Sequence, residues 1–552
     1  MVRIHHLPRS RNFFAIAVFF TIAPAALSTS HAQFTPTVVV TSGQSVPNGD
    51  GRFETFHAPA INDSGKVAFI ATLTDTDLGI DSDVAVFRGD LNGNLLQLAR
   101  ERQLVPLGDA RFGFFFEPYL NNSGQVAFYN RLTAGSTFDG IFLAGDNAFL
   151  TEIARPGFES PNGLGPFTLL SDLALNDAGE VAFSYSANFL TFRRGVIVVD
   201  GANEFEDIAL NNETAPGGNG IFSNFQDIQL NNAGQVVFKA NLSNTLGGAS
   251  DNIGLYRGSG TTAPVEIARR GDQVPDGNGE FSNFSPADVN EVGQVAFSAE
   301  LMNTAGSLDR RGLFLSDGVN EPLQIARSGR PVPGGQGRFS SFDTFAVNNL
   351  GQVAFSSGIA DGLGGNGIFI GDGLGTMTKV VLAGDVTPDG GGTFTNISTP
   401  TFNDSGQVAF RSDVNMGFGG IRAAIYFFDE NESELTEVIR VGDSLLGSTV
   451  SNLTLLTADR LNPGWGERSG LNERGQIAFG FSLIDGRSGV AISATNCLLG
   501  DVDANGTVDF LDIAPFIAVL SGGTFQCEAD CDENGVVNFL DISPFIAILS
   551  GQ

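Results

Sequence analysis

The stretch LNNSGQVAF, residues 120–128, is written again as INDSGKVAF at 61–69, LNDAGEVAF at 175–183, VNEVGQVAF at 289–297 and FNDSGQVAF at 402–410. An asparagine side chain caps a tight turn, and a glycine three residues later accepts the positive φ with which the chain re-enters a strand. After the turn, Val295 and Phe297 alternate with Gln294, Ala296 and Ser298, the period of a strand with one bulky face. The phrase therefore reads as a hairpin turn followed by a core strand.

Aligned on its glycine, the phrase recurs at Gly65, Gly124, Gly179, Gly234, Gly293, Gly351, Gly406 and Gly475, in steps of 55 to 69 residues. Eight copies at that period specify a repeat architecture. The fifth unit shows four short strands: one after Phe281, then QVAFSAEL, GLFLSDG and PLQIARSG. Four strands per unit of this length suit a propeller blade, and no 3.6-residue stripe argues for helical repeats. The array opens on a fourth-type strand, TVVVTSG around Val38 and Val40, and its last unit stops after a third-type strand around Val490. The expected fold is thus mainly β: an eight-bladed β-propeller over residues 33–495, closed by pairing of the N-terminal strand with the last unit. The long final step, which holds the single tryptophan Trp465, reads as an elaborated loop.

The positions Asn62, Gly65, Ala68 and Phe69, with their later equivalents, resemble the N-x-x-G-x-x-A-F tandem repeats of exported bacterial proteins that carry varied C-terminal anchoring modules. That resemblance implies an exported repeat array and no particular activity. The chain start agrees. Arg3, Arg9 and Arg11 precede the apolar run FFAIAVFFTIAPAAL and the small residues ending STSHA, the layout of a signal peptide over residues 1–32. No later segment is long and apolar enough to span a bilayer. A secreted or cell-surface protein is expected.

Removing the leader removes three arginines and no acid, so the formal charge of −31 becomes −34. Such a field repels nucleic acid. His5, His6 and His31 leave with the leader, and His57 in ETFHAPA is then the one remaining histidine, read as a turn residue. Multi-histidine zinc sites are excluded, and a histidine-dependent nucleophile could use His57 alone. The links between second and third strands, such as SNTLGGASDN and MNTAGSLDRR, and the recurrent VPDGNGEF are rich in Asp, Asn and Gly, which suits either ligand binding or polar turns. The loss of acids in VPGGQGRF favours a glycine turn for the second motif. No catalytic residue is singled out.

After Cys497 the pattern changes to a duplicated D-x-D-x-N-G loop followed by an apolar run with helical spacing. Oxygen donors fall at loop positions 1, 3, 5, 9 and 12, with a backbone carbonyl at 7, as a calcium ion requires. In the first loop they are Asp501, Asp503, Asn505, Thr507 (carbonyl), Asp509 and Asp512; in the second, Asp530, Asp532, Asn534, Val536 (carbonyl), Asn538 and Asp541. From Cys497 onward there are nine acids and no lysine or arginine, so the segment needs cations to fold. Two bound calcium ions are expected, with the two helices packed on each other in a small α-helical domain over residues 496–552.

This pair of loop-helix units resembles a type I dockerin, which implies a cohesin-like partner in a polysaccharide-associated, extracellular setting. It departs from that pattern at loop positions 10 and 11, Phe510-Leu511 and Phe539-Leu540, so an apolar partner surface or packing on the array would replace the usual contact. The three cysteines allow a Cys497–Cys527 disulfide with Cys531 left over, or pairing of Cys527 with Cys531. The functional expectation is a secreted, non-catalytic scaffold or ligand-binding propeller with a calcium-dependent docking module. The alternative is a carbohydrate-active enzyme, a glycosidase or polysaccharide lyase, with paired carboxylates on the propeller face.

Overall fold

The computed structural model describes residues 34–77, 83–135, 138–160, 163–188, 190–200, 204–260, 262–335, 337–342, 344–362, 364–457, 469–495, 499–502, 508–521, 527–531 and 537–550. Trp465 and Cys497 lie outside them, as does the side chain of Cys527. Eight antiparallel sheets follow one another along the chain, and each is a blade. The fifth blade matches its reading strand for strand: Glu280–Phe284, Val295–Met302, Arg311–Ser316 and Leu323–Arg327 pair in that order, with the short strand Asp288–Val289 also on the second.

Closure is by the expected strand. Phe34–Thr41 pairs antiparallel with Ser488–Thr495, from Phe34 opposite Thr495 to Thr41 opposite Gly489, and becomes the outermost strand of the eighth blade. Pairing of the first strand with the last unit joins the chain's ends in one sheet and hides the edge each would otherwise present.

The second strand of each blade is buried on both faces, and alternation decides which core each face enters. Phe297 packs with Val237 and Leu255 of the preceding blade, whereas Ala296 lies in the next cluster with Phe345 and Phe355 of the following one. A large face against one neighbour and a small face against the other lets blades stack with native packing density. Within the blade, Phe281, Phe297 and Phe314 form a trio with ring centroids 5.0–5.7 Å apart. Comparable trios recur at Phe53, Phe69, Phe87 and at Phe112, Phe128, Phe142.

The VPDGNGEF motif is a pinned turn. An arginine ending the fourth strand reaches back to the turn that opens the same blade: Arg327 to Asp276 at 2.9 Å, Arg155 to Asp109 at 2.8 Å, Arg440 to Asp389 at 3.0 Å and Arg100 to Asp50 at 3.1 Å. The Arg327 side chain is fully buried. A charge there is tolerated only because it is paired and hydrogen-bonded. In the variable links, too, the acids serve the loops. Asp251 accepts from Asn219 and from the Gly247 N–H, and Asp309 accepts from Asn278.

Seven of the eight N-x-x-G asparagines do two jobs, and Asn348 does the first alone. The Oδ1 accepts the N–H four residues on, at 2.8–2.9 Å in all eight turns, from Asn62 with Lys66 to Asn472 with Gln476. The Nδ2 donates to the backbone carbonyl of the equivalent asparagine in the next blade: Asn62 to Asn121, Asn121 to Asn176, Asn176 to Asn231, Asn231 to Asn290, Asn290 to Asn348, and Asn403 to Asn472. Asn472 donates back to Asn62 at 2.9 Å. Among the described residues, Asn348 gives its amide to Gln352 within its own turn. Replacing Asn231 with Ala strands the Gln235 N–H and takes from the Asn290 carbonyl one of its two donors, the Gly293 N–H remaining. That should cost about 1–3 kcal/mol; thermal unfolding checks it, and an unchanged midpoint would refute the ring as a stabilising element.

Candidate functional site

The residue after each ring asparagine must also face the neighbouring blade, and its side chain always accepts. The Asn122 Oδ1 takes the Asp63 N–H, Asp177 takes that of Asn122, Asn232 that of Asp177, and Glu291 that of Asn232. Asn349 then takes the Glu291 N–H, Asp404 that of Asn349, Glu473 that of Asp404, and Asp63 that of Glu473, all at 2.7–2.9 Å. This second ring is unbroken through eight blades.

Around it the composition alternates: acid, amide, acid, amide, acid, amide, acid. Amides help hold their acidic neighbours: the Nδ2 groups of Asn122 and Asn232 both donate to Asp177 Oδ2, at 3.1 and 2.9 Å, and Asn349 Nδ2 donates to Asp404 at 2.5 Å. The eighth blade breaks the alternation with Glu473, which brings Asp404, Glu473 and Asp63 side by side. Burial, with the charges of Asp404 and Asp63, pushes the Glu473 carboxyl up to about 8. Burial also raises Asp63 and Glu291.

These turns gather at one end of the central channel and enclose a cavity of about 330 Å³ lined from all eight blades. The residue before each ring asparagine, from Ile61 to Leu471, is apolar and also lines it. Gln229, on the first strand of the fourth blade, faces the same cavity and is 7 % exposed.

His57, which directly follows the strand Arg52–Phe56, is more than a turn residue. Its Nδ1 lies 2.6 Å from Glu117 Oε1 of the second blade, and that hydrogen bond raises its pKa. Further along, Asp172 accepts from Ser184 at 2.5 Å, and burial, with the charge of Asp227, pushes its carboxyl up to about 7. Asp227 pairs with Lys239 at 2.5 Å.

In the C-terminal segment, the helices Ile513–Leu520 and Ile542–Leu549 pack together as expected, with Phe516 and Phe545 stacked at 4.0 Å and an interplanar angle of 3°. Of the twelve loop residues, Asp501, Asp512, Asp530 and Asp541 are buried and Asp509 and Asn538 half-buried. Both copies share one local geometry: the Asp509 N–H donates to Asp512 and the Asn538 N–H to Asp541, each at 2.8 Å. Asp503, Asn505, Thr507, Asp532, Asn534 and Val536 lie outside the described residues. Cys531 is buried. The residues at loop positions 10 and 11, with Ile517 and Ile546, are exposed.

Glu473 makes the channel mouth pH-sensitive. Its ordinary value is 4.5 and its folded value about 8, so between those limits the folded state holds more protons than the unfolded chain. Stability from this group is therefore full below pH 4.5 and falls as pH rises toward 8. Glu473→Gln keeps an acceptor for the Asp404 N–H and removes the charge. At pH 8 the variant should be more stable by up to about 4 kcal/mol, with the difference fading toward pH 5 in denaturant titrations.

No curated protein matches the chain. Among solved structures it is similar to the β-propeller domain of the Trilobed protease from Pyrococcus furiosus, at 11 % identity and a TM-score of 0.39 over 71 % of this chain and 100 % of that one. It is also similar to the WD40 domain of SCAP from fission yeast, at 9 % identity and 0.38 over 84 % and 98 %, and to an ulvan lyase, at 9 % and 0.31 over 80 % and 94 %. A sequence-family model matches in three overlapping segments, residues 26–157, 133–330 and 323–497, and by that coverage of the whole array the chain belongs to DUF7453, a family of unknown function.

Proposed function

We propose that the protein is an extracellular, non-catalytic scaffold or ligand-binding propeller whose C-terminal segment is a calcium-dependent docking module. The observation that carries this reading is the pair of duplicated loops in which Asp501, Asp512, Asp530 and Asp541 are buried, in a segment without a single lysine or arginine. Buried carboxylates demand a compensating cation, and a hard ion with oxygen ligands matches a donor set of aspartates, asparagines and carbonyls. Asp503, Asn505, Thr507 and Asp509 would complete the first site, and Asp532, Asn534, Val536 and Asn538 the second.

The same duplication gives the module two equivalent apolar patches. Phe510, Leu511 and Ile517 are 81 %, 67 % and 54 % exposed, and Phe539, Leu540 and Ile546 are 80 %, 67 % and 57 % exposed. An apolar docking surface for a cohesin-like or other extracellular protein follows from them, since clustered exposed apolar groups of this size mark interaction sites. Polysaccharide would then be reached through the assembly rather than by chemistry on the propeller.

The test uses the full chain. Calorimetric titration of chelated protein should give two calcium ions per chain, and Asp512→Ala with Asp541→Ala should remove both. Chelation should open the chain beyond Thr495 to limited proteolysis and leave the propeller intact. A segment equally resistant with and without calcium would sink the proposal.

A further inference from the structure

The channel mouth has features that the turn alone does not require. All eight ring positions need a hydrogen-bond acceptor, and Asn122, Asn232 and Asn349 show that an amide meets the need. Five positions nevertheless carry acids, and three of these stand in consecutive blades, with Glu473 between Asp404 and Asp63. Half a ring away, Gln229 is 7 % exposed and lines the cavity, and its side-chain amide has no hydrogen-bond partner among the described residues. Its amide atoms are not sealed in the core, and a group in the cavity can bond to them. The residue before each ring asparagine adds an apolar collar to the same lining.

We infer that this cavity binds a short aliphatic polyamine, with one ammonium among Asp404, Glu473 and Asp63, a second near Gln229 and Glu291, and the methylene chain along the collar. The inference deepens the ligand-binding reading of the propeller given above. Each part of such a ligand answers one observation. Ammonium groups donate hydrogen bonds only, and the mouth offers carboxylates and an amide oxygen. A bare metal ion needs several oxygen ligands on one point, and no three acidic, histidine or cysteine side chains among the described residues converge so closely, whereas an ammonium is held by Glu473 with one neighbouring carboxylate. A hydrated ion would leave the collar facing water. The cavity, at about 330 Å³, is also much larger than one ion and of a size used for small organic ligands.

Proton linkage gives a separate readout. Glu473 faces Asp404 and Asp63, with Arg474 acting on Asp63. An ammonium beside Glu473 would favour its charged form, so binding releases a proton and tightens as pH rises from 6 toward 8.

The experiment is isothermal titration of the full, calcium-saturated chain with 1,4-diaminobutane and 1,5-diaminopentane, beside n-butylamine and magnesium. Saturable one-to-one binding of a diamine, at least tenfold tighter than the monoamine, is expected. Glu473→Gln should weaken it at least tenfold although that variant is the more stable protein at pH 8, and Gln229→Leu should do so by removing the far pole. Absence of saturable diamine binding would overturn the inference. So would equal affinity for monoamine or magnesium, or full binding in Glu473→Gln. Calcium uptake by the C-terminal loops is read in the same protein before the diamine is added. Loss of that uptake counts against the docking module alone, and loss of diamine binding against the channel site alone.

Discussion

The hydrogen bond from one turn's asparagine amide to the next turn's backbone carbonyl is the contact on which the architecture depends. At seven of the eight junctions it couples the position of a blade to that of its neighbour at the axis. Because Asn472 donates to Asn62, the condition imposed on each neighbour is also imposed on the ends, and the ring must meet itself. The outer strand pair, Phe34–Thr41 with Ser488–Thr495, then secures at the rim what the asparagines set at the axis. Buried amides satisfied in this way favour one arrangement, since another would leave an amide N–H without its partner.

That inner contact also explains why two faces of one strand differ. With the turn radius fixed, neighbouring blades approach at a set angle, and the space between them must be filled from both sides. Phe297 fills it on one side of the fifth blade and Ala296 leaves room on the other. A uniform row of large residues would overpack one interface. The arginine that returns from the fourth strand to the opening turn holds the outer side of the blade, as with Arg327 and Asp276. Inner turn and outer clamp thus fix opposite ends of the sheets that carry the arginine.

The blade count and the closing strand were legible because they depend on periodicity within the chain, and INDSGKVAF with its relatives states that period outright. The paired helices were legible for the same reason, through the duplication around Phe516 and Phe545. The contacts between blades were not. Nothing local in LNNSGQVAF says that Asn121 donates to a carbonyl 55 residues away, and IAR reads as a strand end until Arg327 is seen against Asp276. His57 looked isolated because its partner, Glu117, stands 60 residues on. One signal was present and unread: the position after each ring asparagine is Asp, Asn or Glu in all eight units, a restriction that a solvent-facing turn residue would not need.

That restriction separates what the fold demands from what it does not. The fold demands an oxygen acceptor for the preceding blade's N–H, and Asn, Asp and Glu supply it equally. Charge is not demanded, and it is unfavourable here: like charges in a partly buried ring repel, and Glu473, set between Asp404 and Asp63, holds its proton to about pH 8. Asparagine in the eighth blade would have continued the alternation and spared the repulsion. An unfavourable charge that the scaffold does not use belongs to what the scaffold holds. The blade that breaks the pattern is also the one that closes the ring, so the most acidic arc of the channel mouth exists only once closure has brought Glu473 beside Asp63.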